Sequence, residues 1–142
     1  MKRKIYFCGS IRGGREDALL YGKVIRLMQE TEEVLTEHIG NVHYSAVPRT
    51  PAGECAIYEQ DIAWLRESDL VIAECSTPSL GVGYELAYAE NLGKPVYVFC
   101  RGSVALSAMI SGDPFFKVYR YDTEQDLLNQ LQALLRSDAG PN

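Results

Sequence analysis

Long hydrophobic runs, a positive net charge and paired cysteines are all missing from this sequence of 142 residues. No apolar segment approaches the roughly 20 residues of a membrane-spanning helix. The apolar part of the N-terminal segment is shorter than the ~7–15-residue core of a signal peptide. The net charge of −5 argues against a surface that coats nucleic acid. We therefore expect one domain that binds neither membranes nor nucleic acids.

The chain has four cysteines and two histidines, none of them arranged as a metal site. No two cysteines form a C-x-x-C pair, and no histidine stands at zinc-finger spacing from them. We predict no metal and no cofactor. The pattern favours reduced, buried thiols in a cytoplasmic protein, with a nuclear pool left open. A catalytic cysteine is the lesser alternative, because three of the four lie near predicted strand ends. The cysteines are Cys8, Cys55, Cys75 and Cys100.

Short β-branched and aromatic runs alternate with helical patterns along the chain. The predicted strands are 4–8, 33–38, 69–74, 96–100 and 116–121. The predicted helices are 16–30, 54–67, 83–92 and 123–136, with a short helical segment at 106–110. Such alternation is typical of a parallel sheet with helices on both faces. We predict an α/β fold, a flavodoxin-like or Rossmann-like three-layer sandwich with a five-stranded parallel sheet. Residues 1–136 form the domain, and 137–142 form a frayed tail.

Ligands in such folds bind beyond the carboxyl ends of the strands, where two glycine-rich loops are predicted. The first, Gly9-Ser-Ile-Arg-Gly-Gly-Arg15, has the glycine spacing of a P-loop. It lacks the Lys and Ser/Thr that a P-loop needs, and G-x-G-x-x-G is absent. A nucleoside triphosphatase is therefore disfavoured, and the loop suits a sugar or a single phosphate, or is merely a tight turn. The second, Ser79-Leu-Gly81-Val-Gly83, offers amides and a hydroxyl for a phosphate. Its glycines are equally compatible with close strand–helix packing.

Two carboxylates stand where they could act together. Glu85 is predicted in the first helical turn after the second loop, where the macrodipole favours the ionised carboxylate of a nucleophile. Asp61 shares a helical stripe with Ile57 and Trp64, so desolvation should raise its pKa and suit it to proton donation. Either residue could instead be an ordinary surface acid. Together they have the pattern of a glycosidase, and the phosphate loop points to a sugar phosphate.

Five motifs give the sequence a specific resemblance over residues 6–110. In order they are YFCGSIRGGRED, LTEH, EQDIAWL, PSLGVGYEL and LSAMI. Their order and spacing resemble the 2'-deoxynucleoside 5'-phosphate N-hydrolases, which are related to the nucleoside 2'-deoxyribosyltransferases and share their flavodoxin-like fold. The resemblance implies cleavage of the N-glycosidic bond of deoxynucleoside monophosphates, giving a free base and 2-deoxyribose 5-phosphate.

The same resemblance implies roles for individual residues. Glu85 corresponds to a nucleophile that forms a covalent deoxyribosyl intermediate, and Asp61 to the carboxylate that assists at the base and at the hydrolytic water. Ser107 and Met109 correspond to a segment that reaches the site from the other subunit of a homodimer. The residues implied to bind substrate are Tyr6, Gly9, Ser10, Ile11, Arg12, His38, Ser79, Gly81, Ser107 and Met109.

Two rival functions stay open at the level of sequence. A deoxyribosyltransferase would share the carboxylate chemistry but take nucleosides without phosphate, which the two phosphate-suited loops disfavour. A non-catalytic nucleotide-binding module would have no use for an acid in an apolar stripe. Segments 39–56 and 101–104 depart from the family's pattern, so the preferred base is open.

Overall fold

A parallel five-stranded sheet forms the centre of the protein, with the strand order β2-β1-β3-β4-β5. The computed structural model describes residues 2–11, 17–41 and 50–138. The strands are β1 Lys4–Cys8, β2 Glu33–Val34, β3 Leu70–Glu74, β4 Val96–Arg101 and β5 Phe116–Tyr121. The helices are α1 Ala18–Gln29, α2 Pro51–Glu67, α3 Leu80–Asn91, α4 Ala108–Ser111 and α5 Glu124–Asp138, with a 3-10 helix, η1, at Glu37–Gly40. This strand order is that of flavodoxin-like sheets, so the predicted fold class is confirmed.

Alternate residues of the strands enter separate cores on the two faces of the sheet, as the period of two requires. Ile5 and Phe7 belong to the core that includes buried residues of α1 and α5. Tyr6 and Cys8 belong to the other core, with Leu65 of α2 and with buried residues of α3. The side chain of Tyr6 therefore lies on the face of the sheet that α2 and α3 cover.

The second strand is shorter than predicted. We expected Glu33 to His38, but β2 spans Glu33–Val34 only and η1 follows. Thr36 explains the change, because its hydroxyl accepts from the Phe7 N–H at 2.9 Å and donates to the Phe7 carbonyl at 2.7 Å. A side chain thus satisfies the backbone groups of β1 that a longer strand would have paired. His38 consequently lies in η1 rather than in a strand.

Helices α2 and α3 both begin three residues before their predicted starts. Thr50 accepts a hydrogen bond from the Gly53 N–H at 3.1 Å, and a proline follows it at the first helical position. Ser79 caps α3 by accepting from the Val82 N–H at 3.2 Å. The expected glycine loop is therefore the first turn of α3, and Glu85 lies in the second turn. Gly93, at φ +75°, ends the helix as predicted.

The remaining boundaries move by one or two residues. Helix α1 begins at Ala18, and predicted position 16 lies outside the described residues. The short segment at 106–110 is a helix at Ala108–Ser111. Thr123 accepts from the Asp126 N–H at 3.1 Å, which confirms the predicted cap of α5. That helix runs to Asp138, into the predicted tail. None of the described helices is long and apolar enough to cross a membrane.

Candidate active site

A hydrogen bond between Tyr6 and Glu85 marks the site. The Tyr6 side chain comes from β1, is 1% exposed, and its hydroxyl donates to Oε2 of Glu85 on α3. The two residues meet because β1 pairs directly with β3, and α3 follows β3 along the chain. A phenol fixed in the core therefore positions a partly buried carboxyl group at the carboxyl end of the sheet.

Glu85 is not held ionised as the sequence suggested. Burial raises its pKa to about 7; the hydrogen bond from Tyr6 opposes this rise, and the negative charge of Asp61 adds to it. The macrodipole argument fails because Glu85 stands in the second turn of α3, beyond the terminal amides that carry most of the dipole's effect. The carboxyl group thus titrates close to neutral pH, a common property of catalytic acids and bases.

Asp61 is the second carboxyl group of the site. It lies half-buried on α2, and burial raises its pKa to about 6. The direction predicted from its apolar neighbours is confirmed. The charge of Asp61 raises the pKa of Glu85, and since both pKa values lie near neutrality, one group can be a carboxylate while the other is an acid. Both carboxyl groups therefore titrate near neutrality in the free protein.

The cysteines beneath the site are poor nucleophiles. Cys8 is fully buried at the end of β1, and burial, Glu85 and Cys75 raise its pKa well above the ordinary value. Burial likewise raises the pKa of Cys75 to about 12 and that of Cys100 above its ordinary value. A catalytic cysteine is disfavoured because the thiolate is the reactive form. Burial was wrongly expected for Cys55, which is exposed on α2; all four cysteines are free.

The first turn of α3 is open to solvent next to the carboxyl pair. Leu80 is 97% exposed, and Gly81 is exposed beside it. A Cβ on Gly81 would meet only Ser79 Oγ, at 3.8 Å, so packing within the chain does not require glycine there. Ser79 and the N–H groups of this turn are placed to receive an anion, as helix N-termini do. A ligand that approaches the backbone closely would explain a glycine at this position, because any side chain there would stand in its way.

The loop after β1 is anchored on Tyr21 of α1. The Ser10 N–H donates to the Tyr21 hydroxyl at 3.0 Å. A Cβ on Gly9 would lie 2.7 Å from the Tyr21 ring, so close packing requires this glycine. Gly9 and Ser10 are buried, and Ile11 packs against the core on the α1 face. The predicted substrate residue Arg12 lies outside the described residues.

An aromatic pair joins η1 to the helix that carries Asp61. His38, on η1, lies with its ring centroid 5.6 Å from that of Trp64, at 34° between the planes. Trp64 is on α2, nearly one turn beyond Asp61. The predicted site-lining histidine is thus brought to the helix that carries the second carboxylate, where flat rings suit a planar base.

Ser107 and Met109 lie on the short helix α4, which packs against β5. The Ser107 hydroxyl accepts from the Met109 N–H at 3.2 Å, and Met109 is 80% exposed. In the part of the chain that the structure describes, no hydrogen bond joins either residue to Tyr6, Asp61 or Glu85. These two predicted binding residues are therefore not assembled with the others.

Sequence reasoning missed a group of polar residues behind the site. Asp17 accepts a hydrogen bond from Thr77 at 3.0 Å and forms an ion pair with Arg101 at 3.0 Å. No local pattern could have found them, because Asp17 is 60 residues from Thr77 and 84 from Arg101.

Comparisons with known proteins identify the family. Residues 5–135 match the family described as nucleoside 2-deoxyribosyltransferase. The chain belongs to this family. Two curated relatives of this deoxyribosyltransferase-family chain are enzymes by name. The mouse (Mus musculus) protein "5-hydroxymethyl-dUMP N-hydrolase" is 45% identical over 127 residues, covering 85% of this chain and 73% of the relative. A "putative 2'-deoxynucleoside 5'-phosphate N-hydrolase 1" from Nematostella vectensis is 47% identical over 137 residues, covering 89% and 91%.

A solved structure agrees with the family's fold. A 2-deoxyribosyltransferase from the bacterium Bacillus psychrosaccharolyticus superposes with a TM-score of 0.64 at 18% identity, covering 89% of this chain and 90% of that one. At this identity the likeness establishes the nucleoside 2-deoxyribosyltransferase fold and no more.

Proposed function

We propose that this protein hydrolyses the N-glycosidic bond of 2'-deoxynucleoside 5'-monophosphates to a free base and 2-deoxyribose 5-phosphate. Membership of the family and the names of its N-hydrolase relatives support an N-glycosidase. The observation that carries the proposal is the pair of interacting carboxyl groups, Glu85 and Asp61, with pKa values near neutrality. The open first turn of α3 lies beside them and suits the 5'-phosphate.

The proposed reaction has two displacements at C1'. The Glu85 carboxylate attacks C1', the bond to the base breaks, and the base leaves with a proton from Asp61. Water then attacks C1', gives its proton to Asp61 and releases Glu85 as a carboxylate. Two inversions leave the configuration of C1' retained.

Substrate binding must place the pair's proton on Asp61 for this reaction. In the free protein both carboxyl groups titrate near neutrality. We propose that the bound base removes water from Asp61, while positive charge developing at C1' stabilises the Glu85 carboxylate. The Tyr6 hydrogen bond acts in the same direction, because it lowers the pKa of Glu85.

The deciding experiment follows base release by chromatography from each deoxynucleoside monophosphate and from its matched nucleoside. The relatives' names put 5-hydroxymethyl-dUMP first among the nucleotides to test. Loss of charge-assisted hydrogen bonds to the phosphate should slow the nucleoside by at least ~10-fold per contact. With methanol present, the trapped methyl deoxyriboside phosphate should keep the β configuration. An inverted product would refute the covalent step, and no release from any nucleotide would refute the function.

A 2'-deoxyribosyltransferase is the second candidate, favoured by the family's description. It would use the same covalent intermediate but pass the sugar to another base. Adding a second free base to the assay separates the two activities. Equal turnover of nucleoside and nucleotide, with formation of a new nucleoside, would favour the transferase.

We further propose a homodimer in which Ser107 and Met109 reach the site of the other subunit. Large apolar side chains left exposed on α3 and α4 support a second copy there; Leu80 is 97% exposed, Met109 80% and Tyr84 53%. Glu85→Ala and Ser107→Ala should each be nearly inactive alone. Their heterodimer has one site with both lesions and one with neither, so random mixing should recover about a quarter of wild-type activity. If verified heterodimers recover no activity, Ser107 acts within its own subunit and the shared site is refuted.

A further inference from the structure

The loop between β3 and α3, residues 75–79, is held at its start by hydrogen bonds from polar side chains of neighbouring strands. The buried Glu74 accepts from the Ser76 N–H at 3.0 Å, from the Ser76 hydroxyl at 2.6 Å and from the Tyr121 hydroxyl at 2.6 Å. The Arg101 N–H donates to the Ser76 hydroxyl at 2.9 Å. Strands β3, β4 and β5 therefore all contribute to fixing the start of this loop.

The next residue of the loop is held by a second set of contacts. The Thr77 hydroxyl donates to Oδ2 of Asp17 at 3.0 Å. The Arg101 guanidinium donates to both oxygens of the same carboxylate, at 3.0 and 3.4 Å. The Asp17 side chain is 13% exposed. Exposed surface pairs contribute little, but here a forked arginine contacts a carboxylate that is mostly buried, although the Arg101 side chain itself is 39% exposed.

Asp17 joins the start of α1 to the β3–α3 loop, which leads into the turn of α3 that we assign to the phosphate. It is the N-cap residue of α1, which follows the loop after β1. Through Thr77 it also binds the loop that ends at Ser79, the cap of α3. Its carboxylate would repel a phosphate, and the Arg101 charge offsets that repulsion.

We propose that Asp17 is a positioning residue which, with Arg101 and Thr77, holds the β3–α3 loop and its Ser79 cap against the start of α1, so that the first turn of α3 can receive the 5'-phosphate. This inference rests on the proposed function for the identity of the ligand. The set Asp17, Arg101 and Thr77 is called the clamp below. The clamp acts on binding of the phosphate end rather than on the chemical step, because Tyr6 holds Glu85 independently.

The test measures binding of 2-deoxyribose 5-phosphate by calorimetry and steady-state base release from a deoxynucleotide. Asp17→Asn and Thr77→Val should each raise Kd and KM by about 10-fold, while kcat stays within about 3-fold, because misplacement of positioning groups weakens their contacts. Thr77→Ser keeps the hydroxyl and should recover most of the affinity. Asp17→Asn combined with Thr77→Val should cost less than the product of the single effects, because both remove one contact.

Glu32→Gln is the matched control. It breaks another partly buried arginine–carboxylate pair, Arg3 Nε to Glu32 Oε1 at 3.1 Å, at the opposite end of the sheet. It should lower the melting temperature and leave Kd and KM unchanged. A clamp that only stabilised the fold would behave like this control.

Three results would overturn the clamp: unchanged Kd and KM in Asp17→Asn and Thr77→Val, an equal defect in Thr77→Ser and Thr77→Val, or an equal defect in Glu32→Gln. If Asp17→Asn does not fold, the two Thr77 variants decide. A wild-type protein that releases no base but binds 2-deoxyribose 5-phosphate would refute the proposed function and still test the clamp by calorimetry. If it binds neither that compound nor inorganic phosphate, the clamp is overturned as well.

Discussion

Two glutamates at opposite ends of the sheet have pKa values shifted in opposite directions. At the amino end, burial raises the pKa of Glu32, but hydrogen bonds from Arg3 and Thr31 outweigh it and the pKa falls below its ordinary value. At the carboxyl end, burial and the charge of Asp61 raise the pKa of Glu85 to about 7, although the hydrogen bond from Tyr6 opposes them. The first arrangement stabilises the charge of an acid that is largely shielded from water. The second leaves an acid available for proton-linked chemistry, at a cost in stability.

The largest expected difference between substitutions of Glu85 and of Glu32 is in turnover. Glu85→Ala should reduce kcat for base release by about 10³-fold or more, because binding alone cannot replace a covalent step. Glu32→Gln should leave kcat within twofold, or about 0.4 kcal/mol. Circular dichroism of both variants checks that they are folded. An active Glu85→Ala protein would make Glu85 a bystander.

A smaller loss is expected for Asp61→Asn, on the order of 10²-fold, because general acid catalysis contributes less than the nucleophile. The loss should shrink for nucleotides whose base departs easily without protonation. The measurement is the ratio of wild-type to variant kcat across bases of different leaving-group pKa. The same ratio for every base would contradict proton donation by Asp61.

The pH dependence of kcat/KM should respond to both neighbours of Glu85, in opposite senses. The Tyr6 hydrogen bond lowers the pKa of Glu85 and the Asp61 charge raises it. Tyr6→Phe should therefore move the limb that reports ionisation of Glu85 to higher pH, and Asp61→Asn should move it to lower pH. Profiles of kcat/KM report the free enzyme. Shifts of the same sign in both variants would refute the assignment.

The smallest expected effects are changes of a few degrees in melting temperature. Glu85 has a folded pKa above its ordinary 4.5, so its contribution to stability is full below about pH 4.5 and is lost as pH rises through 7. Glu85→Gln should thus gain stability relative to wild type at pH 8 compared with pH 4. Glu32 has a lowered pKa, so its contribution is present above pH 4.5 and lost in acid. Glu32→Gln should therefore be most destabilising at neutral pH. If the melting temperatures of wild type and Glu85→Gln change with pH in parallel, burial does not shift the pKa of Glu85.

Features encoded by neighbouring residues were predicted correctly from the sequence. Strands β1 and β5 have their predicted ends, and the direction of the Asp61 pKa shift follows from its own helical stripe. The prediction that Glu85 is held ionised was wrong because burial and the charge of Asp61, on a different helix, raise its pKa to about 7, and the Tyr6 hydrogen bond opposes this rise without cancelling it. Helix α3 was predicted to start late because the glycines suggested a loop, although Ser79 caps a regular helix through them.

The order in which the strands pair has a consequence for biosynthesis. Strand β1 leaves the ribosome first, but its partner β3 follows only after α1, β2 and α2. Such non-local parallel pairing forms slowly, and a nascent chain that ends before β3 contains Tyr6 and Asp61 without Glu85. A ligand that spans the three residues therefore binds only chains in which β1, α2, β3 and α3 have all been made and assembled. At 100 times its Kd, such a ligand adds about 2.7 kcal/mol to folding, so the nucleotide pool itself would protect newly finished molecules.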